Sequence, residues 1–263
     1  MGKFDGVLLA SDFDNTLAVK AEVSPENRDA LAYFMSEGGL FSLATGRFST
    51  IIDTIDPVCR PNTYCPVLNG VAIFSPAENR IIEHTQLDRD KASEFTSRLV
   101  DICPEIYGVW LHTLSVAERV EPESAAAAAR DFGDPLTKIV YNVPTEKSDE
   151  YFSAAKELGG NEFLVIRSWI NGIELLPRGA GKEDALRRIR ELLGSRVKLT
   201  VAAGDYENDT GMVREADIGY AVANAVPEVL AAADRITLPA AGHAIAAIIS
   251  DIEIIIQDKT IQD

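Results

Sequence analysis

An apolar run that ends in two aspartates one residue apart, Val7-Leu8-Leu9-Ala10-Ser11-Asp12-Phe13-Asp14-Asn15-Thr16-Leu17, constrains this chain more than any other segment. The apolar run before Asp12 reads as a strand that ends at the aspartates. In an extended strand residues i and i+2 share a face, so Asp12 and Asp14 are expected to project together while Phe13 turns away. Two carboxylates a few ångströms apart repel by about 4 kcal/mol at an effective dielectric of 20. A fold that brings them together must supply a cation or keep one protonated. Alone, the pair is equally a strand that ends in polar turn residues.

The flanking sequence gives that strand its context. Ser24-Pro25-Glu26 opens a helix with an N-cap serine and a proline at the first position, and Gly38-Gly39 closes it. Leu40–Ala44 reads as a short buried strand ending in Thr45-Gly46-Arg47, and Pro66-Val67-Leu68 as another, followed by Asn69-Gly70. The last third repeats the alternation. A helix is expected over Lys182–Leu193, strands over Val197–Ala203 and Ile218–Val222, a helix from Pro227, a short strand at Arg235-Ile236-Thr237 and a closing helix. Between them, strands cluster around an Asn171-Gly172 hairpin signal. The expected fold is α/β: a doubly wound, Rossmann-like parallel-sheet core with an inserted α+β domain. The expected division is core 1–79, insertion 80–176 and core 177–263.

Four chemical signals fall at the expected strand ends of the core: Asp12 with Asp14, Thr45-Gly46, Lys182, and Asp205 with Asn208-Asp209. In a parallel sheet these ends converge on one edge. Together they offer a carboxylate nucleophile, a second carboxylate, a hydroxyl, an ammonium and a further metal-binding carboxylate, the set phosphoryl transfer needs. Taken singly, Thr45-Gly46 is also a plain strand-to-helix turn, and Asn208 or Asp209 a helix N-cap. Lys182 says more, because a cation in a helix's first turn opposes the macrodipole by about 0.3–1 kcal/mol; an anionic partner explains its presence there, the alternative being a solvated lysine.

The formal net charge of −16 over 263 residues argues against nucleic acid and anionic membranes as partners and leaves open an anionic small molecule in a locally positive pocket. The Met1-Gly2 opening shows no apolar signal segment, and Gly6 stands where myristoylation needs Ser or Thr. The apolar stretch Ile236–Ser250 is too short to span a bilayer and holds Pro239 and His243. Cys59, Cys65 and Cys103 are odd in number and lack C-x-x-C spacing, so a reducing cytoplasmic setting is expected.

In order along the chain, DFDNTLA at Asp12, LATGR at Thr45, PRGAGKEDAL at Lys182 and GDYEND at Asp205 resemble the four motifs of the haloacid dehalogenase superfamily. Within it the chain is similar to the Cof-like phosphatases, which carry an α/β cap between the second and third motifs. NGVAIF at Asn69, the stretch at Lys138 and VANAVPEVLAAAD near Asn224 extend the resemblance. One departure is Asn15 in place of the usual glycine; Asn tolerates left-handed backbone angles, so the loop is expected to survive.

The resemblance implies a Mg2+-dependent phosphomonoesterase acting on a small phosphorylated metabolite such as a sugar phosphate. It implies Asp12 as nucleophile and Asp14 as general acid and base. Mg2+ would be held by the Asp12 carboxylate, the Asp14 backbone carbonyl and Asp205, with Asp209 supporting through water. Thr45, the Gly46 amide and Lys182 would hold the phosphoryl oxygens, with Asn208 nearby. The cap would read the leaving group, and Arg167, Trp169 and Asn171 near its hairpin are equally substrate contacts or structural residues. Arg47 is equally a ligand contact or helix-start packing, and His84, His112 and His243 receive no role.

Three rivals bear on this. Gly179-Ala180-Gly181-Lys182 fails as a P-loop, since the leading glycine falls at Leu176 and Glu183 replaces the Ser or Thr. A receiver-like signalling module would lack the strand-end D-x-D and the insertion. A phosphomutase remains open, as does the oligomeric state.

Overall fold

The computed structural model describes residues 2–133 and 135–260. They form two compact units, one running to Ile82 and resuming at Lys182, the other Glu83–Gly181.

In the first unit, β1 (Val7–Asp12) leads through the two-residue strands β2 (Ala18–Val19) and β3 (Glu22–Val23) to α1 (Pro25–Ser36) and β4 (Leu40–Ala44). β5 (Cys65–Val67), β6 (Ala72–Ser75) and β7 (Arg80–His84) follow. Every residue of β1 is buried, which is why it stays apolar from Val7 to Ala10 and carries no charge before Asp12. The Ser24 side chain caps α1 by accepting from the Asn27 amide at 3.2 Å, and Pro25 takes the first helical position.

The second unit comprises α2 (Arg89–Ile102), β8 (Gly108–His112), β9 (Ala117–Val120), α3 (Pro122–Asp131), β10 (Lys138–Asn142), α4 (Ser148–Gly159), β11 (Phe163–Trp169) and β12 (Gly172–Pro177). Its sheet has the order β11-β12-β10-β8-β9 with every neighbouring pair antiparallel. Asn171-Gly172 turns β11 into β12 as the hairpin signal indicates. Val109, Leu111, Ile139, Tyr141, Ile173 and Leu175 belong to one buried cluster with Phe95 and Leu99 of α2 and Ala125 of α3. Alternate residues therefore face the helices, as period-2 strands require.

The chain then re-enters the first unit with α5 (Lys182–Leu193), β13 (Leu199–Gly204), α6 (Thr210–Glu215), β14 (Ile218–Ala221), α7 (Pro227–Ala232), β15 (Arg235–Ile236) and α8 (Ala244–Thr260). The core sheet is parallel with order β15-β14-β13-β1-β4. From β1 the chain goes to β4 on one side and returns to β13 on the other, so the strand order reverses at β1. In open α/β sheets ligands bind at that reversal, beyond the carboxyl ends of the strands.

Pro66-Val67-Leu68 departs from expectation. The strand there is Cys65–Val67, and it pairs antiparallel with β6 in a separate three-stranded sheet. Leu68 leaves the strand because its φ is +54°, in the left-handed region. Among the described residues no helix is long and apolar enough to cross a membrane.

Candidate active site

β1 ends at Asp12, whose register partner is Ala44 at the end of β4, while Gly204 ends β13 one residue before Asp205. Strand pairing thus delivers Asp12, Thr45 and Asp205 to one edge. Lys182, the first residue of α5, is 1% exposed. Its Nζ lies 2.6 Å from Asp12 Oδ1 and 2.6 Å from Asp209 Oδ1. The anionic partner that a first-turn lysine calls for is therefore a pair of buried carboxylates.

Asp209 is fully engaged: its other oxygen, Oδ2, accepts from the amides of Asp205 at 3.0 Å and Tyr206 at 3.2 Å. Asp205 is fixed in turn by Thr16, whose hydroxyl donates to Asp205 Oδ1 at 3.0 Å. Asp12, Asp205 and Asp209 are all buried, and each offers a carboxylate oxygen within 4.8 Å of the others. Three carboxylates against one ammonium leave an excess of two negative charges when all are ionised, the charge a divalent cation neutralises. Hard oxygen donors at this spacing form a group able to hold such a metal. With both Asp209 oxygens committed to protein partners, Asp12 and Asp205 are the side chains placed to donate directly.

The crowding raises the acids' affinity for protons. Burial pushes the Asp12 carboxyl well above the usual carboxylate range; Lys182 opposes this, and Asp209 and Asp205 add to it. Asp205 is pushed up to about 7, first by burial and then by the Asp209 charge. Burial alone would lower the Lys182 pKa, but Asp12 and Asp209 outweigh it and hold the ammonium above the usual lysine value.

These shifts predict a pH dependence. A carboxyl with a raised native pKa favours the folded state at low pH, and that contribution is lost as pH rises from the unfolded value of about 4 through about 7. In chelator, the melting temperature of the protein is expected to fall from pH 5 to pH 8 more steeply than that of Asp205→Asn. Added divalent cation should raise it more at pH 8 than at pH 5, because binding displaces protons. Differential scanning calorimetry across the series decides this, and parallel curves for the two proteins would contradict it.

Asp14 is not one of the three grouped acids, although its charge adds to the upward push on Asp205. It lies beyond the end of β1, so strand alternation does not place it on Asp12's face. Its two oxygens accept from Arg47 Nε at 2.8 Å and Nη2 at 2.7 Å, and its side chain is 46% exposed. The Arg47 guanidinium also stacks over the Phe13 ring, 5.5 Å from its centroid. The carboxylate crowding expected of Asp12 and Asp14 falls instead on Asp12, Asp205 and Asp209. Asn15 adopts φ +58°; its amide donates to Ala18 O at 2.8 Å, and its carbonyl accepts from Asn224 Nδ2 at 3.0 Å.

Thr45 is fully buried; its amide donates to Pro66 O at 2.9 Å, and its hydroxyl accepts from the Arg47 amide at 3.1 Å. Gly46 follows it, and Asn208 Nδ2 donates to Asn69 Oδ1 at 3.0 Å.

The sequence matches the haloacid dehalogenase-like hydrolase family over residues 9–249. The chain belongs to that family. It is 26% identical to Phosphoglycolate phosphatase 2 of Saccharolobus solfataricus, over 88% of this chain and 85% of that one. It is also 26% identical to the 5-amino-6-(5-phospho-D-ribitylamino)uracil phosphatase YcsE of Bacillus subtilis, over 88% of this chain and 89% of that one. The solved structure of a haloacid dehalogenase-like hydrolase from B. subtilis superposes with a TM-score of 0.77 at 24% identity, covering 92% of this chain and 98% of that one.

In this haloacid dehalogenase-like hydrolase, residues without an assigned role in the sequence reading also join the site. Thr16 and Asn69 stand inside quoted motifs, and Asn224 inside the third resembling stretch; each was legible as a motif member but not as a contact. Arg167 of β11 reaches α4. It pairs with Asp149 at 2.6 Å, donates to Ser148 Oγ at 3.1 Å and stacks on Phe152, 4.4 Å from the ring centroid. Asn171 Nδ2 donates to Val143 O and Thr145 Oγ1, at 3.0 and 2.8 Å, as a turn residue does, while Trp169 is exposed at a β-bulge. His112 is half-buried beside the Lys138–Glu174 ion pair; desolvation, with the Lys138 charge adding to it, lowers its pKa to about 3 and so keeps it neutral. His243 Nδ1 meets the α1 cap at Ser24 Oγ, 2.9 Å away.

Proposed function

We propose that this phosphatase is a Mg2+-dependent phosphomonoesterase, acting on a small phosphorylated metabolite such as a sugar phosphate through an aspartyl phosphate on Asp12. The observation that carries the reading is the buried Lys182 ammonium, 2.6 Å from both Asp12 and Asp209, with Asp205 completing a three-acid cluster. A lysine and a metal-competent acid group around one strand-end carboxylate supply what attack on phosphorus requires. The two curated relatives are named for small phosphomonoesters, which supports the substrate class. The net charge of −16 fits a small ligand in a local pocket better than a polyanion.

In this reading an Asp12 carboxylate oxygen attacks phosphorus and the bond from phosphorus to the leaving alcohol oxygen breaks. Asp14 gives that oxygen its proton. Water then attacks the phosphorus of the aspartyl phosphate, Asp14 takes the water's proton, and Asp12 is regenerated as inorganic phosphate leaves. Lys182, the Thr45 hydroxyl, the Gly46 amide and Asn208 hold the phosphoryl oxygens. Asp209 orients Lys182, Thr16 orients Asp205, and Arg47 orients Asp14. Mg2+, held by the Asp12 and Asp205 carboxylates and the Asp14 carbonyl, would neutralise the acids and the charge on the transferring group. The unit Glu83–Gly181 serves as the cap that reads the leaving group.

The test is phosphate release from sugar phosphates, phosphoglycolate and p-nitrophenyl phosphate. Release is expected with Mg2+, to fall to background in chelator, and to recover on adding Mg2+ back. No release from any of these substrates would count against the reading, and a requirement for a sugar bisphosphate would shift it to a mutase.

A further inference from the structure

The left-handed turn after β5 is unusual. Leu68 at φ +54° and Asn69 at +62° precede Gly70 at +96°, and Leu68 and Asn69 are buried. A buried leucine in this region is strained, and such strain persists only where the surroundings enforce it. Here the strained turn docks onto the Thr45–Arg47 loop. The Asn69 amide donates to Thr45 O at 2.9 Å and the Leu68 amide to Arg47 O at 3.0 Å.

The same turn aims the Asn69 side chain. A Cβ on Gly46 would lie 3.0 Å from Asn69 Oδ1 and 3.1 Å from its Nδ2, so any larger residue at 46 would press the carboxamide back by a few tenths of an ångström. Asn69 Oδ1 also accepts from Asn208 Nδ2 at 3.0 Å. One carboxamide therefore touches both loops proposed to hold phosphate, from positions 46 and 208. Asn208 Oδ1 is buried without a hydrogen-bond partner. Asn208 as a whole is half-buried; with one N–H held by Asn69 Oδ1, its second N–H is the group left to donate to a phosphoryl oxygen.

The geometry points to Asn69 as a positioning residue of the phosphate pocket, fixing the Asn208 amide against the Gly46 loop; this role rests on the phosphatase reading above. Asn69 acts through Asn208 and the loop, and the left-handed turn exists to place it.

Four variants test it: Asn69→Gly, Asn69→Asp, Asn208→Ala and the double variant Asn69→Gly/Asn208→Ala, with binding of inorganic phosphate read by calorimetry in Mg2+ and turnover read with p-nitrophenyl phosphate. Glycine is at ease at φ +62°, so Asn69→Gly deletes the carboxamide while the turn keeps its backbone, and a melting curve run alongside checks that the variant is folded. It is expected to weaken phosphate binding about five- to tenfold, the size of one hydrogen bond. In the Asn208→Ala background that loss should largely disappear, since coupled residues are non-additive. The near-isosteric Asn69→Asp, which puts a carboxylate against Gly46 and Asn208, should weaken phosphate more than Asn69→Gly. Phosphate binding within twofold of wild type in Asn69→Gly, full additivity with Asn208→Ala, or Asn69→Asp no worse than Asn69→Gly would each overturn the role. Those failures in an active wild-type enzyme leave the phosphatase reading intact. A wild type that neither hydrolyses p-nitrophenyl phosphate nor binds phosphate overturns both.

Discussion

Asp12→Asn is expected to lower phosphate release by at least ~10⁴-fold while leaving the protein, in chelator, as stable as wild type or more so. The two outcomes have one cause. An amide oxygen cannot form the aspartyl phosphate, so the proposed chemistry stops. The same change removes one negative charge from a buried group in which Asp12, Asp205 and Asp209 face a single ammonium. The substituted carboxamide would still offer an oxygen to Lys182 Nζ, so the lysine keeps an acceptor at that position. The neutral side chain also ends the repulsion between the Asp12 and Asp205 carboxylates. Stabilisation by Mg2+ should shrink in the variant, because one hard anionic donor has become neutral. Steady-state phosphate release and calorimetric melting with and without Mg2+ measure all three. Activity within tenfold of wild type would remove Asp12 as nucleophile. Collapse of the fold in chelator would mean that the Asp12–Lys182 pair, rather than cation binding, dominates the energetics of the cluster.

What the sequence revealed here, and what it hid, follows from the range of the interactions. β1 was legible because a strand buried on both faces must be apolar throughout, and the first charge then marks the strand's end. Lys182 was legible because a cation in a first helical turn is locally unfavourable and implies a distant anion. Its partners are Asp12, 170 residues away, and Asp209, 27 residues away. Local pattern could show that they exist without showing how they share the ammonium.

The misreadings lie where local pattern and tertiary contact diverge. Asp14 lies in the loop after β1, where Arg47 holds its carboxylate, so the alternation rule for strands stops short of it. Pro66-Val67-Leu68 looked like one buried strand because all three residues are apolar. The positive φ of Leu68, which no sequence rule assigns to leucine, ends it at Val67 and creates the turn that carries Asn69. Contacts such as Thr16 to Asp205, 189 residues apart, and Asn69 to Asn208, 139 apart, arise only once the parallel sheet brings its carboxyl ends together. Asn15, by contrast, was readable from its type alone: asparagine tolerates the left-handed angle that the loop demands, and it adopts φ +58°.

Lys182→Met is expected to cost about 3–5 kcal/mol of stability in chelator at pH 8 and to reduce turnover by about 10³-fold or more. Methionine matches the length of the lysine stem, so packing at this fully buried position is largely kept and the lost charge dominates. Asp12 and Asp209 would then lose the ammonium 2.6 Å from each of them, and breaking a buried ion pair from one side leaves the remaining charge uncompensated. The penalty has a direction in pH. Lys182 stays charged across the working range, its pKa being held up by the two carboxylates against the effect of burial, so the dependence comes from the acids. Burial already raises Asp12 and Asp205, and without the lysine they rise further, so protonation relieves the variant at pH 5 and ionisation penalises it at pH 8. The difference in unfolding free energy between wild type and variant, from urea titrations at both pH values, should therefore widen as pH rises. Mg2+ should recover part of the stability, because a divalent cation neutralises the same carboxylates, yet restore little activity, because the donor to the phosphoryl oxygens is gone. A wild-type-to-variant difference that is the same at pH 5 and pH 8 would show that Lys182 does not serve the acid cluster, and turnover restored by Mg2+ would show that it does not serve the phosphoryl group.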